Sequence, residues 1–373
     1  MAELFSVDGL GGRLDNIGRL AQKSGFVRVC APDAGLSASR GAELGILFLS
    51  YRLEAPKIIM VISGTHGVEG PAGYDLQFDL LQKRVHEQLP KDVGLVFVVA
   101  LNPWGWAHGR RTDKNNVDLN RNGWSTLPPI LPALDSEINA LVNPEQCDEE
   151  WYRELTGWLT NPEKCKHLRA QVFYGQYDNP RGIFYGGQEK SWSLKSLQWY
   201  CYYHLKDPCR HLAILDIHTG LGEWGEIILI SSARPDDQKL QERIRSWFGL
   251  APVFPNLGQT EIVNVVSSDL LSFVARCLPK TEVTALACGI GTKPFEQGFP
   301  VFVAENWTHQ HQPADGTVWL KTECSTTKEG QRQFRNLFYP PNSGFEDDRN
   351  WSAVCRGGFM PIFRTVVRGL SES

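Results

Sequence analysis

Residues 57–77 read KIIMVISGTHGVEGPAGYDLQ, and the order of their chemistry points to the fold. Lys57 to Ser63 is an almost unbroken apolar run of strand length, the pattern of a strand covered on both faces. A tight turn of small residues follows, through Gly64, Gly67 and Gly70. From Gly73 to Leu89 the apolar residues return at helical spacing.

The same alternation extends outward from this stretch. Strand-length runs occupy 45–52 (GILFLSYR), 94–101 (GLVFVVAL), 211–218 (HLAILDIH), 225–232 (GEIILISS) and 282–289 (EVTALACG). Helical spacing marks 191–205 and 236–249 as well as 73–89. Strands alternating with helices predict an α/β fold: a mixed, largely parallel twisted sheet with helices on both faces. Residues 135–200, richer in Trp, charge and Pro, are expected to form a helical insertion. No internal repeat or Gly/Ser/Pro-rich linker divides the chain, so one domain over 1–373 is expected. Its last segment, NWSAVCRGGFMPIFRTVVRGL (350–370), is expected to pack on the core as a helix or strand.

Composition narrows the function. The 373 residues are 42% hydrophobic and carry a net charge of -4, with no basic block, which argues against a nucleic-acid surface and favours small substrates. No run approaches the roughly 20 apolar residues that cross a bilayer. The N-terminal MAELFSVDGLGGRLDNIGRL lacks an apolar segment with basic flanks, so a secretory leader is not expected. Nine singly scattered cysteines, with no Cys-x-x-Cys pair, read as reduced thiols, and a cytoplasmic location is the expectation.

The turn itself carries chemistry. His66 and Glu69 fall just beyond a strand end, where open α/β sheets collect ligands. An imidazole and a carboxylate three residues apart can share one ion, and catalytic zinc commonly takes two His and one Glu with a fourth position for water. Alone the pattern is weak, and a plain tight turn explains it too. His218 ends another apolar run, followed by Gly220 and Gly222, and is a candidate third ligand; Asp216, two residues earlier, can orient its ring. The alternative is a histidine simply satisfied at a strand end. The polar stretch 102–124, NPWGWAHGRRTDKNNVDLNRNGW, contains Arg110, Arg111, Asn120 and Arg121. Arginine forks onto carboxylates, and asparagine adds a donor and an acceptor. A solvated loop with Asn turn formers is the competing reading.

Taken in order, His66-x-x-Glu69, NPWG at 102–105, DLNRN at 118–122 and His218 after a strand resemble the zinc carboxypeptidase superfamily, which includes carboxypeptidase A and aspartoacylase. The wording SGTHGVEG, NNVDLNRN, GIFYGGQEKSWS and DIHTGLG is most similar to its branch known only as a domain of unknown function, over residues 40 to 310. The resemblance implies one Zn2+ per chain held by His66, Glu69 and His218. It also implies that Asn120 and Arg121 hold a substrate carboxylate, that Arg111 stabilises the oxyanion, and that Tyr185 lines the pocket. The implied substrate is a peptide C-terminus or N-acyl amino acid; nothing in the sequence sets the oligomeric state.

One position departs from the pattern. The superfamily's general base is a glutamate on a late strand, in this branch within Glu-aromatic-Gly-Thr. Here Gly291 and Thr292 set the register, and the glutamate position falls on Gly289. Glu296 and Glu305 are candidate displaced bases, with His309 and His311 behind them. The expectation is therefore a zinc hydrolase acting on an amide, with a catalytically impaired zinc-binding protein as the alternative. A metal-free relative is a third reading, disfavoured because all three ligand positions are filled. No Gly-x-Ser-x-Gly elbow or Gly-x-x-x-x-Gly-Lys loop is present, and GIGTKP (289–294) does not complete a dinucleotide fingerprint.

Overall fold

Each predicted strand forms. The computed structural model describes residues 4–33, 44–128, 130–231, 237–249, 253–255, 268–311, 317–320, 323–340 and 351–372. Among them one sheet contains β1 (Val27–Pro32), β2 (Gly45–Tyr51), β3 (Lys57–Ile62), β4 (Val93–Val99), β5 (His211–Leu221), β6 (Ile227–Ser231), β7 (Val253–Pro255) and β8 (Glu282–Lys293). Their order is β1-β2-β4-β3-β5-β8-β6-β7. The centre, β4-β3-β5-β8, is parallel, as is β6-β7; the pairs β1-β2, β2-β4 and β6-β8 are antiparallel. The sheet is thus mixed with a parallel middle. A separate hairpin joins β9 (Thr317–Leu320) to β10 (Glu323–Thr326).

Helices cover both faces because the central strands are apolar on both. Ile59 and Val61 of β3 enter one core cluster, with α1 (Val7–Lys23) and α2 (Gly70–Gln82). Short α3 (Pro103–His108) joins that cluster, as do α4 (Ser136–Val142), α5 (Glu149–Thr160) and α6 (Pro162–Val172). Ile58, Met60 and Ile62 face the other cluster, with α7 (Trp192–Tyr200). Completing the chain are α8 (Gln238–Phe248), α9 (Leu270–Cys277), α10 (Phe295–His311), α11 (Thr327–Phe338) and α12 (Trp351–Glu372). Of these only α9 packs in the second cluster. The stretch 135–200 holds four helices, and the C-terminal segment is a helix, α12.

The topology places the site. β3 connects through α2 to β4 on one side of it, while β5 enters on its other side. Strand order therefore reverses at β3, and the crevice beyond the carboxyl ends of β3 and β5 is the switch point where such sheets bind ligands. His66 follows β3, and His218 lies near the end of β5.

Candidate metal centre

After β3 the chain turns at Gly64, whose φ of 70° lies in the left-handed region that glycine adopts freely. His66 and Glu69 then sit on a single 3-10 turn, Gly67–Glu69, that runs straight into α2. The turn presses on α3: a Cβ at Gly67 would meet the Gly105 carbonyl carbon at 2.1 Å, so a side chain there would displace backbone. The Gly67 and Val68 N–H groups donate to the carbonyls of Arg111 and Arg110 at 3.2 and 2.8 Å, tying the turn to the arginine segment.

His66, Glu69 and His218 converge. His66 Nδ1 lies 2.8 Å from Glu69 Oε1, His218 Nδ1 lies 3.1 Å from Glu69 Oε2, and the two Nδ1 atoms are 3.2 Å apart. On the far side of each ring a carboxylate meets Nε2: Asp118 Oδ1 at 3.1 Å from His66 and Asp216 Oδ2 at 2.7 Å from His218. Both aspartates are fully buried and anchored. Asp118 Oδ2 accepts from Arg111 Nε at 2.9 Å, and Asp216 Oδ1 accepts from the Thr65 hydroxyl at 2.7 Å. A carboxylate at Nε2 holds the ring proton there and turns the Nδ1 lone pair toward the shared centre. The three side chains are the group among the described residues able to hold a metal ion, with their ligand atoms within 4.8 Å of one another.

The charges of the cluster hold one another in place. Burial opposes ionisation of Glu69, yet His66 and His218 outweigh it and hold the carboxyl well below its ordinary range. Burial likewise works against a proton on His218, while Asp216 and Glu69 carry its pKa up to about 10. Asp118, deeply buried, is kept well below the usual carboxylate range by Arg111 and His66.

A cavity of about 200 Å³ opens on this centre, lined by the three side chains together with Arg111, Arg121, Gly289 and several phenylalanines. Arg111 Nη1 also reaches Glu69 Oε1 at 3.4 Å. Gly289 is the register partner of His218 in the parallel β5-β8 pair, so the position read as the lost glutamate does lie beside the centre.

Other expected residues lie elsewhere or are committed elsewhere. Glu296 lines a different cavity, with Cys165, Arg169 and Tyr174. Glu305 is buried against Arg110, Oε1 to Nε 2.6 Å, an ion pair close in distance but not aligned as a hydrogen bond. His309 packs edge-on to Trp104, and exposed His311 bonds the Trp307 carbonyl. None of these four lines the cavity, so the displaced-base assignments to Glu296 and Glu305 find no geometric support. Asn120 Oδ1 accepts from the Leu270 N–H at 3.0 Å, capping the start of α9 rather than facing the cavity. Tyr185 is buried, its carbonyl accepting from the Asp118 N–H; its neighbour Phe184 is the pocket residue. Sequence reasoning assigned no role to Asp118, although it precedes Asn120 by two residues just as Asp216 precedes His218.

The family described as Protein of unknown function (DUF2817) matches residues 40–349. This chain belongs to that family. Membership agrees with the resemblance to the domain-of-unknown-function branch. Among curated proteins none matches. Solved structures similar to this chain include carboxypeptidase A from Helicoverpa armigera, at 12% identity and a TM-score of 0.42, covering 88% of this chain and 72% of that one. A metallo-carboxypeptidase from Pseudomonas aeruginosa is 15% identical with a TM-score of 0.38, over 87% and 66%. The succinylglutamate desuccinylase from Chromobacterium violaceum is 14% identical with a TM-score of 0.35, over 88% and 75%. No helix among the described residues is long and apolar enough to cross a membrane.

Proposed function

We propose that this DUF2817 protein is a zinc-dependent hydrolase that cleaves an amide bond next to a free carboxylate, in a peptide C-terminus or an N-acyl amino acid. The observation that carries the reading is the convergence of two Nδ1 atoms and one carboxylate, each imidazole backed by its own aspartate. Tetrahedral zinc with ligands at about 2.0–2.1 Å requires ligand atoms roughly 3.3 Å apart. The spacings of 2.8, 3.1 and 3.2 Å, with Glu69 turning a different oxygen to each ring, lie near that requirement. His66, Glu69 and His218 would hold one ion per chain.

Zinc, when bound, polarises a carbonyl and lowers the pKa of water to about 7. The chain supplies the rest. Asp118 and Asp216 fix the tautomer and direction of the two rings. Arg111, which lines the cavity, would stabilise negative charge growing on a substrate oxygen. Arg121 has a buried Nε with no hydrogen-bond partner among the described residues, a donor suited to a substrate carboxylate.

A second reading is favoured by Gly289, which places no proton acceptor beside the centre: a zinc-binding protein with little turnover. The two are separated by assaying zinc-loaded protein on a panel of C-terminal peptides and N-acyl amino acids. Hydrolysis that disappears in His218→Ala supports the enzyme. Zinc binding with no hydrolysis across the panel supports the binding protein.

A further inference from the structure

Much of the lining of this cavity is aromatic. Phe173, Phe184, Phe299, Phe302 and Phe338 all face it, with Ile290 and Leu337 beside them. They come from distant parts of the chain: the end of α6, the turn that ends at Phe184, two positions of α10 and the end of α11. The rings form a connected set, with Phe184 stacked on Phe302 at 4.9 Å and Phe302 within 6.3 Å of Phe299.

Phe184 is held where few side chains go. Its φ is 52°, a left-handed value that is a true outlier for a bulky residue and that the surroundings must enforce. There its ring lies 5.3 Å from the Arg111 guanidinium carbon and 5.5 Å from that of Arg121. Phe302 covers Arg111 as well, at 5.4 Å. The rings therefore sheathe the faces of both guanidinium groups and leave their edges to polar partners.

Charge narrows the occupant further. Arg111 is already engaged by Asp118 and Glu69, whereas Arg121, whose Nη1 donates to the Asn120 carbonyl at 2.9 Å, keeps a buried Nε with no hydrogen-bond partner among the described residues. That favours one substrate carboxylate over two. Among the described residues the one lining acid is Glu69, committed to the two histidines, so none of them offers a counter-charge to a basic side chain. Its volume, about 200 Å³, is below the roughly 300–1,000 Å³ that drug-sized ligands occupy. Space of that size fits the side chain and carboxylate of one residue.

We propose that the residue carrying the substrate's free carboxylate has an aromatic or large branched apolar side chain, seated among these five phenylalanines. This rests on the hydrolase reading for the position of the scissile amide, but the side-chain preference itself is a property of the cavity and is readable by binding alone.

The test is calorimetric titration of zinc-loaded and zinc-free protein with N-acetyl-phenylalanine, N-acetyl-leucine, N-acetylglycine, N-acetyl-aspartate and N-acetyl-lysine. An apolar pocket discriminates about 10–200-fold per missing methylene, so the phenylalanine compound is expected to bind at least about 100-fold more tightly than the glycine compound. The aspartate and lysine compounds should fall with glycine. Phe299→Leu, which keeps an apolar wall but removes a ring, should narrow the phenylalanine-over-leucine ratio without weakening zinc binding. Arg121→Gln should weaken all five compounds alike. Equal affinity across the panel, or a preference for aspartate or lysine, overturns the proposal even if zinc binds and amides are hydrolysed. Phenylalanine preference in protein that binds no zinc sustains it while the hydrolase reading fails.

Discussion

If the proposed hydrolase reading holds, replacing Gly289 with glutamate should raise turnover. Gly289 pairs in register with His218 and lines the cavity that holds the metal-ligating side chains. A Cβ built there meets nothing nearer than the Ile228 carbonyl oxygen at 3.7 Å, an ordinary contact, and the backbone is not in the left-handed region. A Cβ at this position therefore meets no clash, and replacing glycine inside a strand removes an entropic handicap. A positioned general base contributes about 10²–10⁴-fold, or about 3–5 kcal/mol of barrier at 1.36 kcal/mol per tenfold. The assay is kcat/KM for zinc-loaded wild type, Gly289→Glu and Gly289→Gln on one N-acyl amino acid, with zinc content measured for each. The account expects a gain within that range for the glutamate variant and none for the glutamine variant. A glutamate variant that folds, binds zinc and turns over no faster than wild type refutes the reasoning, because the register or the missing-base argument must then be wrong.

Removing the aspartates behind the rings, as Asp118→Asn or Asp216→Asn, should weaken zinc binding by about 10–100-fold, read by competition with a chelating dye. Glu305→Gln leaves Arg110 buried without its counter-charge and should cost about 3 kcal/mol in chemical denaturation, with zinc content unchanged because neither residue lines the site. Glu296→Gln, in its separate cavity, should leave zinc content and turnover as they are. His211, at the start of β5, has its pKa lowered to about 4 by burial and by the neighbouring Arg243 and Lys57 cations. The unfolded chain then binds a proton at pH values where the folded one does not, so stability should fall as pH drops through 6.5 toward 4. Comparing His211→Gln with wild type across that window should show a shallower fall for the variant.

Why some of this was legible in the sequence and some was not follows from where each signal resides. The central strands announce themselves because burial on both faces makes them continuous apolar runs. β1 is a half-exposed edge strand and β7 has three residues, so neither carries such a pattern. α1 buries Leu10, Leu14, Ile17 and Ala21 at helical spacing, but four residues of glycine or asparagine character between Gly9 and Asn16 dilute the signal. His66, Glu69 and His218 were readable because each stands at a strand end. Asp118 was not, since its role exists only when a chain segment 52 residues away folds back onto His66. The resemblance implies a substrate role for Asn120, yet its acceptor is spent on Leu270, 150 residues distant. Tyr185 was off by one residue, because Phe184 is the one whose strained backbone aims a ring at the arginines.

The central claim is that His66, Glu69 and His218 form a zinc site. Its most direct test is the zinc content of purified protein after equilibration in zinc-buffered solution, measured by mass spectrometry of the metal for wild type, His66→Ala and His218→Ala. The account predicts one zinc per chain in wild type and its loss in both variants. Wild type that holds no zinc, or variants that hold as much as wild type, would contradict it.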